Sequence, residues 1–260
     1  MRFLSLLFHD VYGVDPSESG FSGAAADRYK LTVAQFEGQL AGLVRARADR
    51  PILATRALTE YVGGVPMMIT VDDGGVSYHT VVADRLEAMG WRGHCFVTTG
   101  RVGERGFLDR TQIRNLHQRG HVIGSHSVSH PPRLSARSWR DIFREWDDSR
   151  KMLADTVGED ITVASVPGGY YSRKVADAAC QAGFSVLFTS EPKTAVHRVS
   201  GCQVMGRFTI RPGHRADLCR DLGMLEFSTL FWASIVWNTK KVAKAVLGQA
   251  QLRLTHGRGA

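Results

Sequence analysis

Short runs of aliphatic and β-branched residues alternate along the chain with longer stretches in which apolar positions recur every three or four residues. The runs Arg2 to Phe8, Met67 to Val71, His94 to Thr99, His121 to Gly124, Ile161 to Val166 and Phe184 to Thr189 read as buried strands. Between them, Thr32 to Ala46, Val76 to Met89, Thr111 to Arg119, Trp139 to Thr156 and Arg173 to Ala182 read as amphipathic helices. Gly90, Gly120 and Gly183 each follow a helical pattern and precede a strand, the place of a left-handed C-terminal cap. Repeated βα units predict an α/β fold with parallel strands and helices outside. The number of units favours a barrel over a short open sheet.

Two stretches break the rhythm. Gly13 to Arg28 is rich in Gly, Ser, Asp and Ala without an apolar period, and predicts a long loop after the first strand, of the kind that often grips substrate. From Gly223 the pattern becomes amphipathic or wholly apolar, then passes through Lys240, Lys241 and Lys244 into a polar tail. The expected division is a barrel over 1–222 and a helical extension with tail over 223–260.

Composition narrows the class. With 260 residues, 43% of them hydrophobic and 22% charged, the chain can bury one large core, so disorder is expected only at its ends. The formal charge is +8, but no basic stretch alternates with aromatics as a nucleic-acid groove requires, and a nucleic-acid partner is not expected. Cys95, Cys180, Cys202 and Cys219 are far apart, so neither a thiolate zinc site nor a dense disulfide framework is suggested. The apolar start is cut short at His9-Asp10 with no small-residue cleavage site, and reads as a first strand of a cytoplasmic protein. Leu222 to Trp237 approaches, without reaching, the roughly 18 to 20 apolar residues of a membrane-spanning helix.

The chemistry gathers at strand ends. The run Pro66 to Val71 ends in Asp72-Asp73-Gly74, which places two carboxylates at the carboxyl edge of the sheet, where α/β folds carry their sites. His126 and His130, at i and i+4, can converge on one divalent ion. Adjacent strand residues point to opposite faces, so one aspartate can ligate while the other handles protons. Two histidines and one aspartate leave positions open for water and a substrate oxygen, as a hydrolytic metal needs.

Thr70-Val-Asp-Asp-Gly74, His126-Ser-Val-Ser-His130 and Pro167-Gly-Gly-Tyr170 resemble, in order and spacing, the first three motifs of the polysaccharide deacetylases. The resemblance covers roughly Met1 to Arg211. It implies a distorted (β/α) barrel and one divalent metal ion, commonly zinc, held by Asp73, His126 and His130, with Asp72 as general base. It implies an N-acetylated polysaccharide or glycolipid as substrate. By the same analogy the Gly168 N–H helps hold the oxyanion, and Tyr170 stacks on a sugar face. Two positions depart from the family pattern. Ser165 stands where many members carry an arginine that orients the catalytic aspartate, with Arg207 the first candidate to replace it or otherwise to contact substrate. The Leu-x-His motif is missing from the carboxyl end, while Leu7-Phe-His9 has its form at the amino end. This resembles the permuted poly-N-acetylglucosamine deacetylases and makes His9 the candidate general acid.

Other residues carry weaker expectations. Tyr171, Trp91 and Trp139 are candidate sugar platforms, His79 a neighbour of the site, and Glu191 a group facing the pocket. His94, His117, His121, His197, His214 and His256 match no pattern. The apolar helix after Leu222, with its trailing lysines, either attaches the protein loosely to a membrane face or closes the barrel. Two alternatives to a sugar N-deacetylase stand: a hydrolase of a non-sugar amide, since related barrels process small cyclic amides or imides, or a carbohydrate-binding protein that has lost turnover because Ser165 replaces arginine.

Overall fold

The computed structural model describes residues 1–47, 49–54 and 64–239. Nine strands form one curled sheet: β1 (Leu4–Phe8), β4 (Met67–Val71), β5 (His94–Val97), β6 (Val122–Ser125), β7 (Val163–Ser165), β8 (Val186–Phe188), β9 (His197–Val199), β10 (Cys202–Met205) and β11 (Phe208–Thr209). Their spatial order is β11-β1-β4-β5-β6-β7-β8-β10-β9, parallel throughout except for the β9–β10 pair. The two end strands share no ladder among the described residues, so the barrel is incomplete. Its seam is crossed near the amino end by an Arg2–Ala195 bridge, with Phe3 N donating to Thr194 O at 2.8 Å. A separate ribbon pairs β2 (Val11–Tyr12) with β3 (Leu31–Thr32).

Helices α1 (Ala24–Asp27), α2 (Val33–Ala46), α3 (Ala83–Ala88), α4 (Arg110–Gln118), α5 (Trp139–Val157), α6 (Arg173–Gln181) and α7 (Leu218–Gly223) complete the named elements. Their ends follow local chemistry. Thr32 with Gln35, and Asp109 with Gln112, form capping boxes, while Ser138 and Ser172 cap α5 and α6; such caps contribute about 1 kcal/mol each. Gly90, Gly120 and Gly183 have φ of 68°, 88° and 100°, as their place after helices predicted. The predicted helix from Val76 opens instead with a π-helical turn, Tyr78–Val82, before α3.

Strand periodicity splits the core in two. Leu4, Leu6 and Phe8 with Met67, Ile69 and Val71 pack outward under the helices, whereas Phe3, Met68, Phe96, Val163, Val186, Phe188 and Met205 fill the barrel. Burial on both faces is why these strands read as continuous apolar runs. Gly124 makes room for this filling, since a Cβ there would lie 2.5 Å from Phe96 and 2.9 Å from Val163. The inward row of β4 runs Met68, Thr70 and then Asp72, so the strand's period aims Asp72 into the barrel. All four cysteines are free thiols.

A further helical stretch, residues 227–239, lies against the sheet's open end. Ser234 Oγ donates to Pro192 O at 3.2 Å, and the Trp237 ring lies beside Gly169. No helix among the described residues is long and apolar enough to cross a membrane. Lys240, Lys241, Lys244 and His256 lie outside the described residues.

Candidate active site

The carboxyl ends of the strands open into one cleft of about 1720 Å³. His9 follows β1, Asp72 and Asp73 follow β4, His126 follows β6, Ser165 ends β7, and Arg207 lies between β10 and β11. His9, Asp72, Asp73, His126, His130, Gly168, Tyr170 and Arg207 all line the cleft, so the structure brings these eight residues together.

Asp73, His126 and His130 each offer a ligand atom within 4.8 Å of the others. His126 Nε2 and His130 Nε2 lie 3.4 and 3.7 Å from Asp73 Oδ1. Donors about 2.1 Å from a tetrahedral zinc sit about 3.4 Å from one another, so the donor set fits a divalent ion. His126 Nδ1 lies 2.9 Å from Ser165 O, which presents Nε2 to the centre. Asp73 and His130 have φ of 79° and 50°, in the left-handed region that non-glycine residues seldom occupy. Such strain is characteristic of functional sites. Burial pushes the Asp73 carboxyl up, but the His126 hydrogen bond and the charges of His9, His126 and His130 outweigh it and hold it below the usual range. For His130, burial and then His126 push the imidazole down to about 4, leaving it neutral and able to ligate.

Asp72 faces a different set of partners. The fully buried Arg207 guanidinium grips it twice, Nη1 to Oδ1 at 2.7 Å and Nη2 to Oδ2 at 2.8 Å. Ser165 Oγ donates to Oδ2 at 3.0 Å and accepts from Arg207 Nη2 at 2.7 Å. Arg207 is completed by Thr70 Oγ1 and Thr189 O, and lies over the Phe96 and Phe188 rings. The Arg207 guanidinium, reaching in from between β10 and β11, thus sits beside the small Ser165 side chain. Burial raises the Asp72 carboxyl, yet Arg207 first and His126 second reverse this and keep it below the usual carboxylate range. Two acceptor positions on Oδ2 and one on Oδ1 are filled, which leaves a lone pair of Oδ1 free to take a proton.

His9 packs against Tyr29 with ring centroids 4.8 Å apart and planes tilted by 39°, and Arg211 lies 4.3 Å over the Tyr29 ring. Its Nδ1 is buried without a hydrogen-bond partner. Burial lowers the imidazole below its ordinary pKa, against the opposing charges of Asp73 and Asp72.

The loop Gly13 to Arg28 is ordered around the site by contacts distant in sequence. Asp10 Oδ1 accepts from Ser19 Oγ at 2.6 Å and Ser77 Oγ at 2.9 Å, while buried Lys30 donates to Pro16 O and Ser19 O. Gly20 and Gly75 pack so closely on the Asp10 carboxylate that any Cβ would collide with it. Burial, then Asp73, raises the Asp10 carboxyl to about 6. From this loop Phe21 packs at a tilt against His130 with ring centroids 5.0 Å apart, and Tyr29, just after it, packs at a tilt against His9. Neither aromatic carries a sequence signal, because both sit where no apolar period exists.

Other expectations divide. Tyr171 and Glu191 line the cleft, whereas Trp91 is buried in the core and Trp139 stacks on Phe143 away from it. His79 does not reach the site; its Nε2 meets Asn115 Oδ1 at 3.1 Å, because the π-helical turn carries it to the outside of the sheet. His94 is a buried structural histidine between Ile69 O and Ala54 N. His214 lines the cleft, with Nδ1 accepting from Arg211 N.

Residues 62–187, which contain three of the motifs with Asp73, His126 and His130, match the polysaccharide deacetylase family. Over this span the chain is similar to that family. A curated relative, the putative polysaccharide deacetylase YxkH of Bacillus subtilis (strain 168), is 26% identical over 147 residues, covering 56% of this chain and 52% of YxkH. The chain spans about half the length of the curated relatives it matches. Among solved structures, the Streptococcus pyogenes deacetylase PplD in complex with acetate superposes with a TM-score of 0.71 at 19% identity, covering 87% of this chain and 99% of that one. IcaB from Ammonifex degensii gives 0.67 at 19% identity, covering 90% and 97%. These likenesses establish the fold, a curled, mostly parallel half-barrel.

Proposed function

We propose that this protein is a metal-dependent N-deacetylase that hydrolyses the acetamide of N-acetylated sugars in a polysaccharide or its precursor. The observation that carries the proposal is the separation of two adjacent aspartates, Asp73 among the imidazoles of His126 and His130 and Asp72 bound by Arg207 and Ser165. One set suits a divalent ion, commonly zinc in such sites, and the other suits a base. A bound divalent ion supplies Lewis acidity, polarising an acyl oxygen and acidifying the water beside it.

The protein's own groups supply the remaining steps. Asp72, ionised and fixed by Arg207, accepts the proton of the attacking water. The Gly168 N–H, in a turn of φ 62°, donates to the oxygen on which negative charge develops. His9 hands a proton to the nitrogen as the carbon–nitrogen bond breaks, so water and the acetamide become acetate and a free amine. Tyr170, under the Arg133 guanidinium at 5.5 Å, offers a face for the sugar ring. Arg207 acts as a positioning residue, because its donors are already committed to Asp72, Ser165, Thr70 and Thr189. That commitment also favours an active enzyme over a binding protein that has lost its motif arginine.

The domain reading is a barrel to residue 222 with the following helix as an added wall. The exposed apolar side of that helix supports peripheral contact with a membrane face. Acetate release from N-acetylglucosamine oligomers, with and without chelator, tests the activity. Release that stops on chelation and returns with a divalent ion supports it, and no release from any N-acetylated sugar refutes it.

A further inference from the structure

The cleft is basic where it is uncommitted. Each acid lining it is already engaged: Asp72 by Arg207, Asp73 by the histidines, Asp10 by Ser19 and Ser77, and Glu191 by Lys193 at 2.9 Å. Arg28 and Arg211 also line it, yet among the described residues neither has a carboxylate within 4.0 Å. Arg211 lies on Tyr29, which lies on His9, so its guanidinium sits one aromatic ring away from the reacting end of the cleft. A neutral sugar chain gives such charges nothing to neutralise.

The opposite chemistry begins on the same wall. In the helical stretch 227–239, Trp232 and Val236 line the cleft and are also exposed, by 62% and 47%. They continue into Phe227 at 80% and Phe231 at 50% exposure, which stack on each other at 5.7 Å. Arg215, which pairs with Asp221, meets Thr229 Oγ1 of that helix at 3.4 Å, and both line the cleft together with Arg211 and Trp232. Exposed apolar side chains clustered beside a cleft mark a place where a ligand or surface binds. An occupant that fits has a sugar at the metal triad, an anionic group beside Arg211, and a hydrocarbon chain leaving over Trp232.

We propose that the substrate is an N-acetyl sugar carried on a lipid phosphate, its phosphate met by Arg28 and Arg211 and its hydrocarbon chain by Trp232 and Val236. The identity of the sugar end rests on the deacetylase reading above; the lipid-phosphate site does not.

Calorimetric binding of geranyl phosphate, geraniol and inorganic phosphate to the full chain separates the two halves of the site. Geranyl phosphate is expected to bind at least tenfold more tightly than either fragment. Arg211→Gln reduces its affinity to that of geraniol, and the surface pair Trp232→Ser with Val236→Ser reduces it to that of phosphate. Equal affinity for geraniol and geranyl phosphate, no binding, or no loss in either variant overturns the proposal. In a second arm, acetate release is compared between geranyl-phosphate-linked N-acetylglucosamine and its methyl glycoside, with an expected advantage of at least tenfold in kcat/KM for the lipid. Preference for the neutral glycoside overturns the lipid-phosphate site and leaves the deacetylase intact. Tight binding of geranyl phosphate without acetate from any sugar supports the site and refutes the deacetylase.

Discussion

Replacing Arg207 by Met removes the charge that holds Asp72 while keeping a side chain of similar length in a site with no exposed surface. The variant loses two short ion-pair contacts to Asp72, at 2.7 and 2.8 Å, and leaves Ser165 Oγ as the remaining donor to that carboxylate. Breaking a buried pair in this way costs about 3–5 kcal/mol. The cost has a distinctive pH signature. In the wild type Arg207 outweighs burial and depresses the Asp72 pKa, so this carboxylate contributes stability that is present above the unfolded value and lost as pH falls through the folded one. In the variant burial prevails, the folded pKa rises above the unfolded one, and stability falls as pH rises. The stability difference between the two proteins, measured by urea denaturation of metal-free samples, is therefore smallest in strong acid, below the depressed wild-type pKa, and widens as pH rises toward neutrality. The acid limb of kcat/KM moves to higher pH for the same reason, since Asp72 must be ionised to act as a base. A loss of stability that is equal at all pH values, with an unmoved acid limb, would mean that Arg207 only fills space.

His9→Ala is expected to keep the fold and metal content but to lower turnover of an acetamide by roughly 10²–10⁴-fold, with much less loss on an activated ester, as acetate-release and ester-hydrolysis assays compare directly. Asp10→Asn keeps an acceptor for Ser19 and Ser77 while removing a carboxyl raised to about 6. A raised carboxyl makes the wild type lose stability as pH climbs from about 4 to about 6, so in metal-free thermal melts the variant gains on the wild type across that window; a constant difference refutes the assignment. His126→Ala removes one of three ligands and is expected to lose stoichiometric metal, which metal analysis of the purified protein reads; retention of one ion would place the site elsewhere.

Legibility in the sequence followed the range of the interactions. Strands buried on both faces and helices with their own caps, such as Val33–Ala46 behind Thr32, announce themselves within a few residues, and their ends were read to within a residue or two. The Asp72-Asp73 and His126 to His130 motifs were equally local. The replacement of a motif arginine at Ser165 by Arg207 could be suspected but not read from the sequence, because the deciding bonds join residues 42 and 135 positions apart. Phe21, Tyr29 and Asp10 carry no signal at all. They act through a loop fixed by contacts such as Ser77 to Asp10, 67 residues away, and short local windows cannot see such pairs. The π-helical turn at Tyr78–Val82 likewise sat inside an ordinary helical pattern, and it is what turns His79 away from the cleft.

The division of labour between the paired aspartates is tested most directly by acetate release from Asp72→Asn protein whose metal content has been matched to that of the wild type. The account predicts that the variant holds its ion through Asp73, His126 and His130 and releases no acetate above background. Acetate release at the wild-type rate, or loss of the ion together with activity, would contradict it.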